Sequence, residues 1–317
     1  MTLRGTALVL IGLVPALGAS LIAGARKEAA PSHVISAIPC VIRTPGTYCL
    51  ARDLCYDSLS GNAITVDAND VTIDLDGCRL SCEAGPTSRA VGIFSSQCSA
   101  VTIRNGTVQG FHFGAQFCGV NCRDNQVCNV TFADNWYIGL WIEGKQSLAM
   151  SNRVENTGGC SLPGFTTPIG MRLVGEGCAL INNQVSGFAW RPGTTTEIVG
   201  VAIDEAPGAM VAGNRISLDR FLKNSWGIWV NSTGNDGSSS VDVENNYIAN
   251  FENGCAFLYA QGRMKNNCYC NVATRWRVPE WNCDADQGGN VSITSASPSG
   301  EPRIAPAVAI FPASRSE

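Results

Sequence analysis

The sequence predicts an all-β solenoid, a coil of short strands stacked on one another, and three observations predict it. A pattern of glycine, apolar, any residue, apolar recurs as GIFS (92–95), GAQF (114–117), GLWI (139–142), GMRL (170–173), GVAI (200–203), GIWV (227–230) and GCAF (254–257). Its glycines are 22, 25, 31, 30, 27 and 27 residues apart. Between these lies a second pattern, apolar-x-x-Asn-x-apolar: AMSNRV (149–154), LINNQV (180–185), VAGNRI (211–216), VENNYI (243–248) and MKNNCY (264–269). Its asparagines Asn152, Asn183, Asn214 and Asn246 step by 31, 31 and 32. Composition agrees: 317 residues with 34 glycines, 45% hydrophobic but only 15% charged, favour a turn-rich β protein with a sizeable core over a helical bundle.

A recurrence every 20 to 32 residues is the signature of a repeat architecture, in which each coil buries its apolar face only by stacking. The apolar residues alternate with period two, so the repeats are strands. The first apolar position reads Ile93, Ala115, Leu140, Met171, Val201, Ile228, Cys255, and the second Ser95, Phe117, Ile142, Leu173, Ile203, Val230, Phe257. Stacked in register, these two columns make one core. The recurrent asparagines suit turns, where they tolerate left-handed backbone and bond to nearby groups; stacked, their side chains can also bond each other. Unequal coil lengths place insertions at corners, at 158–168, 189–197 and 217–225.

At the N-terminus, Arg4 precedes an uncharged stretch over 5–25 that ends Ala23-Gly24-Ala25. This reads as a secretory signal peptide over 1–25, with an uncleaved membrane anchor as the alternative. Residues 26–39 read as a linker and 293–317, rich in Ser, Pro and Ala, as a flexible tail. Loss of Arg4 leaves 21 basic against 26 acidic residues, a net −5, which argues against a general nucleic-acid binder. The mature form has no other stretch able to span a membrane. All 15 cysteines lie beyond residue 25, and in an exported chain they read as disulfides. Cys98–Cys122, ahead of equivalent strands, is the first candidate pair, and Cys40–Cys49, flanking a Pro-Gly turn, the second. With two histidines and no zinc-like spacing, no metal site is expected among the cysteines.

The repeats, with the opening TPGTYCLARDL (44–54) and NAITVDANDVTIDLDG (62–77) and the closing CDADQGGNVS (283–292), resemble the secreted right-handed parallel β-helix repeat proteins of the pectin-lyase-like group. The resemblance implies a single-stranded right-handed parallel β-helix over 40–292, of about 8–10 coils, with 40 to about 80 as capping coils. It implies a secreted protein, extracellular or periplasmic. It does not fix activity, since the group holds lyases, glycosidases, epimerases, adhesins and proteins without enzymatic function.

Residues at +2 and +4 from each glycine point outward, giving a file of Phe94, Gln116, Trp141, Arg172, Ala202 and Trp229 flanked by Glu143, Asp204 and Asn231. Indole faces with acids and amides beside them are what a polysaccharide groove needs. Trp141, Trp229, Gln116 and Asn231 are therefore candidate substrate-binding residues, walled by loops that add Trp190, Arg191, Asp219 and Lys223. Packing of both tryptophans under those loops is the competing reading. Glu143 and Asp204, two coils apart, are candidate carboxylates of an inverting hydrolase, with Arg172 between them as a uronate ligand or, in a lyase, a base. The chain lacks the Gly-His-Gly and Arg-x-Lys of polygalacturonase-like enzymes, the aspartate cluster of calcium-dependent pectate lyases, and the epimerase Tyr-Gly-x-Asp-Pro-His. A hydrolase or lyase, and a non-catalytic structural or display solenoid, both stay open. No cofactor is expected; calcium at Asp67, Asp70, Asp74 and Asp76 is the one candidate, against a reading in which Asp74 and Asp76 are the wet side of a strand.

Overall fold

The computed structural model describes residues 33–119, 121–190, 195–232, 240–278 and 285–293, so the leader, most of the tail and Cys283 lie outside the described residues. Among the described residues every regular element is a strand, and every strand pairing is parallel. The chain winds through three strands per turn, and each strand pairs with its counterpart one turn later. The result is a right-handed coil with three long faces.

The GxxΦ strands form the front sheet. Its register runs Cys40, Ile64, Ile93, Ala115, Leu140, Met171, Val201, Ile228, Cys255, Trp276, ten rungs in all. From Ile64 to Cys255 each of these side chains is at most 1% exposed, as the alternation requires. The second sheet contributes Ile103, Val127, Leu180 and Val211 to the same core, and the third contributes Val108, Phe132, Val185 and Ile216.

The motif glycines are required by a close approach. A Cβ at Gly170 would lie 2.5 Å from Val185 Cγ1 and 2.6 Å from the carbonyl oxygen of Gly200. Gly200 stands in the same relation to Ile216 and Gly227, and Gly227 to Ile248 and Gly254. Each glycine thus lets an inward side chain of the third sheet nest against the front sheet, and a methyl group there would collide with backbone.

The asparagines form a buried ladder. The side-chain Oδ1 of Asn183 accepts from the Asn152 backbone N–H at 2.9 Å and from its Nδ2 at 3.1 Å. Asn214 serves Asn183 in the same way, Asn246 serves Asn214, Asn267 serves Asn246, and Asn290 serves Asn267. The left-handed backbone expected of them belongs instead to the residue before each: Ser151, Asn182, Gly213, Asn245, Asn266 and Gly289 all have φ between 54° and 70°.

Three expectations change. His33–Ile35 is a strand paired with Gly46–Leu50, so the coil begins inside the stretch read as linker. The segment 217–225, read as a loop, is part of one continuous strand, Arg215–Asn231. Its backbone pairs with Tyr247–Leu258 and absorbs its extra residues as register shifts on either side of Leu222. Finally, no disulfide joins the described cysteines, and no pair lies at bonding distance. Cys98 and Cys122 point their thiols at backbone carbonyls, Ser96 and Val66 for the first and Cys118 for the second. Cys40 sits on the front sheet and Cys49 on the second, on different faces of the coil.

Candidate functional site

The front sheet sets the outward file in the expected register. Phe94, Gln116, Trp141, Arg172, Ala202 and Trp229 are consecutive partners across six rungs. Beside them Glu143, Val174, Asp204 and Asn231 form a second column. Parallel strands lie about 4.8 Å apart, which puts Trp141 and Trp229 about 14 Å apart, and Glu143 and Asp204 about 10 Å apart, measured between backbones. The flanking positions of each strand are fixed by the core, so these side chains cannot turn inward without reversing the strand.

At the centre is a linked trio. Arg172 Nε donates to Asp204 Oδ2 at 2.8 Å, and the guanidinium carbon lies 4.6 Å from the centroid of the Trp141 ring. Both charged side chains are partly covered, at 31% and 19% exposure, so the pair is better shielded from water than a surface ion pair. Around this trio the polar side chains are uncommitted. Gln116, Glu143 and Asn231 make no side-chain hydrogen bond or ion pair among the described residues. The indole N–H groups of Trp141, Trp226 and Trp229 are enclosed, with no acceptor among the described residues.

Sequence reasoning missed a second set of aromatics. The Phe113 ring lies 5.7 Å from that of Trp141, and Trp226 lies 5.3 Å from Trp229 with Arg277 above it at 5.2 Å. Tyr137 stacks on His112 at 5.2 Å, and Phe165, from the 158–168 insertion, meets both edge-on. The signal was present as aromatics one to three residues before a motif glycine, in FHFG (111–114), WYIG (136–139) and SWG (225–227). His112 is 1% exposed, and burial, helped by the nearby Arg89 charge, pushes its pKa down from 6.5 to about 4. Its Nδ1 lies 3.8 Å from the Cys160 thiol, while its Nε2 has no partner.

Other candidates are placed elsewhere or engaged. Trp190 is partly buried and packs against the core, and Arg191 lies outside the described residues. Asp219 and Lys223 are exposed on the long strand Arg215–Asn231. Asp74 is not on a wet face: it is 9% exposed, accepts from Arg104 at 2.8 Å and from Asn105 at 3.2 Å, and takes the Asp76 backbone N–H. These protein donors occupy the oxygens that a calcium ion would need.

No protein-family model matches the chain, and no curated protein matches it. Solved structures do. The enzymatically active domain of tailspike protein 2 from bacteriophage CBA120 aligns with a TM-score of 0.50 at 11% identity, covering 80% of this chain and 42% of that one. This fold is the right-handed parallel β-helix. An alginate lyase from Paenibacillus sp. strain FPU-7 aligns at 0.45 and 13% identity over 81% and 99% of the two chains. A polygalacturonase from Erwinia carotovora aligns at 0.41 and 12% over 84% of each. The likeness to the tailspike domain is one of fold alone, and the β-helix spans well under half of that domain's length; nothing is drawn from the other two.

Proposed function

We propose that the front face of this β-helix binds a polysaccharide strand laid along the coil axis. The observation that carries this reading is the pair of half-buried tryptophans, Trp141 and Trp229, about 14 Å apart, with the uncommitted side chains of Gln116, Glu143 and Asn231 beside them. Indole faces take the apolar faces of sugar rings, and acids and amides take hydroxyls.

Glu143 and Asp204 supply a second layer to the proposal. At about 10 Å between backbones they stand at the upper edge of the ~6.5–9.5 Å separation of inverting glycosidases, so hydrolysis with inversion is the chemistry they suit. Arg172, which donates to Asp204, is then a positioning residue for that carboxylate and not a base. The test is a panel of polysaccharides incubated with the mature protein, read for binding, for new reducing ends and for the absorbance of unsaturated uronides. Hydrolysis predicts reducing ends without that absorbance, lost in Glu143→Gln and Asp204→Asn while binding persists. Binding without product in the parent protein leaves a glycan-binding solenoid. No binding across the panel contradicts the proposal. Export through the leader belongs to the same reading, and a mature N-terminus at Arg26 is its expected mark.

A further inference from the structure

We infer that the glycan taken by this face is electrically neutral, not a polyuronide; the inference rests on the reading of the front face as a glycan site and names the substrate class for it. The argument is a count of charge and of hydrogen-bonding capacity on the central rungs. Between Gln116 and Trp229 the outward residues carry one cation, Arg172, and two anions, Glu143 and Asp204. The charge of that cation is already paired: its Nε is bonded to Asp204 at 2.8 Å, and its guanidinium is stacked over Trp141 at 4.6 Å. What remains is Glu143, with no partner among the described residues. The centre of the face therefore presents one net negative charge to a ligand.

The other cations of the face sit at its margins. Arg277 lies over Trp226, two rungs beyond Trp229 in the register, and Arg89 lies over Phe165 near the opposite end. A uronide strand would carry a carboxylate on every sugar. Those passing the rungs of Trp141 to Ala202 would lie close to Glu143 and Asp204, where the one guanidinium is already offset by Asp204 and the net charge is negative. Like charges brought together in a partly dehydrated groove repel, and this is how charged sites reject wrong partners. The hydrogen-bonding inventory points the same way. Glu143 is acceptor-only when ionised and calls for hydroxyl donors, while Gln116 and Asn231 offer both donors and acceptors. A neutral sugar meets Glu143 with hydroxyl donors, whereas a uronide adds to its hydroxyls a carboxylate, an acceptor that Glu143 cannot satisfy.

The experiment measures the affinity of the mature protein for oligosaccharides of equal length, one series neutral (glucans and xylans) and one acidic (galacturonans and alginate fragments), at low and at high salt. The expected result is that the best neutral oligosaccharide binds at least about tenfold more tightly than the best uronide, with added salt narrowing the gap because it screens the repulsion. In Glu143→Gln the gap should narrow through improved uronide binding. Uronides that bind as well as or better than neutral chains overturn the inference while leaving a glycan-binding face intact. Failure of both series to bind contradicts the reading of the face itself, and the inference falls with it.

Discussion

Trp141 holds two kinds of contact at once. Its indole meets the Phe113 ring of the preceding rung and the Arg172 guanidinium of the following one, and part of the side chain still reaches solvent. Truncation should therefore cost less stability than the ~3–5 kcal/mol of a fully buried aromatic, and more affinity than a rim residue would. Trp141→Ala and Trp229→Ala are each expected to weaken glycan binding by about 1–2 kcal/mol, with calorimetry and a thermal melt on the same samples separating the two effects. His112 carries a different prediction. Its pKa of about 4 in the folded protein lies below the ordinary 6.5, so the unfolded chain takes up a proton first as pH falls. The stability due to neutral His112 is thus fully present above pH 6.5, declines between 6.5 and about 4, and falls no further below that. The loss is on the order of 3 kcal/mol, and His112→Phe should flatten that part of a urea-midpoint-against-pH curve. At this scale the sequence was readable where side chains obey the strand period, which is why the Trp141, Arg172 and Trp229 file appeared in register. It was unreadable where contacts cross between rungs outside the motif, as with Phe165 against His112, and where thiols such as Cys98 turn to carbonyls their spacing does not reveal.

Two ladders hold the elements together, and each gives a prediction. Asn183 Oδ1 accepts from two donors of Asn152, while its own Nδ2 reaches Ala149 and Asn214. Asn183→Ala leaves the buried Asn152 backbone N–H and the Ala149 carbonyl without these partners and should cost about 3 kcal/mol, measured as a shift in chemical-denaturation midpoint. Gly200→Ala places a methyl group 2.5 Å from Ile216 and 2.6 Å from the Gly227 carbonyl, and should destabilise by about 1–3 kcal/mol through overpacking. A neutral outcome for either would show that the ladders are incidental to the coil. Both were visible in the sequence because a solenoid repeats the same contact on every turn, so a local requirement becomes a period. The strand Arg215–Asn231 was hidden for the opposite reason. Its polar run DRFLKN (219–224) has no inward partner to impose alternation, yet its backbone still pairs with the next rung.

In the whole molecule each rung touches only its neighbours, so opening is easiest at the ends. The outermost strands are also the more exposed: Val34 is 64% exposed at the first and Val291 51% at the last. Hydrogen exchange should therefore be slowest in Ile138–Glu143, Ile169–Val174 and Ile198–Asp204, and fastest in His33–Ile35 and Val291–Ile293. Uniform protection would contradict that gradient. The three strands expected to exchange slowest are those that carry Trp141, Glu143, Arg172 and Asp204, where the spacing of the site is set by the strand ladder. The most direct test of that arrangement is a crystal structure of the β-helix with the best-bound oligosaccharide from the panel. Density for sugar rings along the front sheet, stacked on Trp141 and Trp229 and within hydrogen-bond distance of Glu143 and Asn231, is the expected result. Sugar bound on another face, with the front sheet bare, would contradict the account.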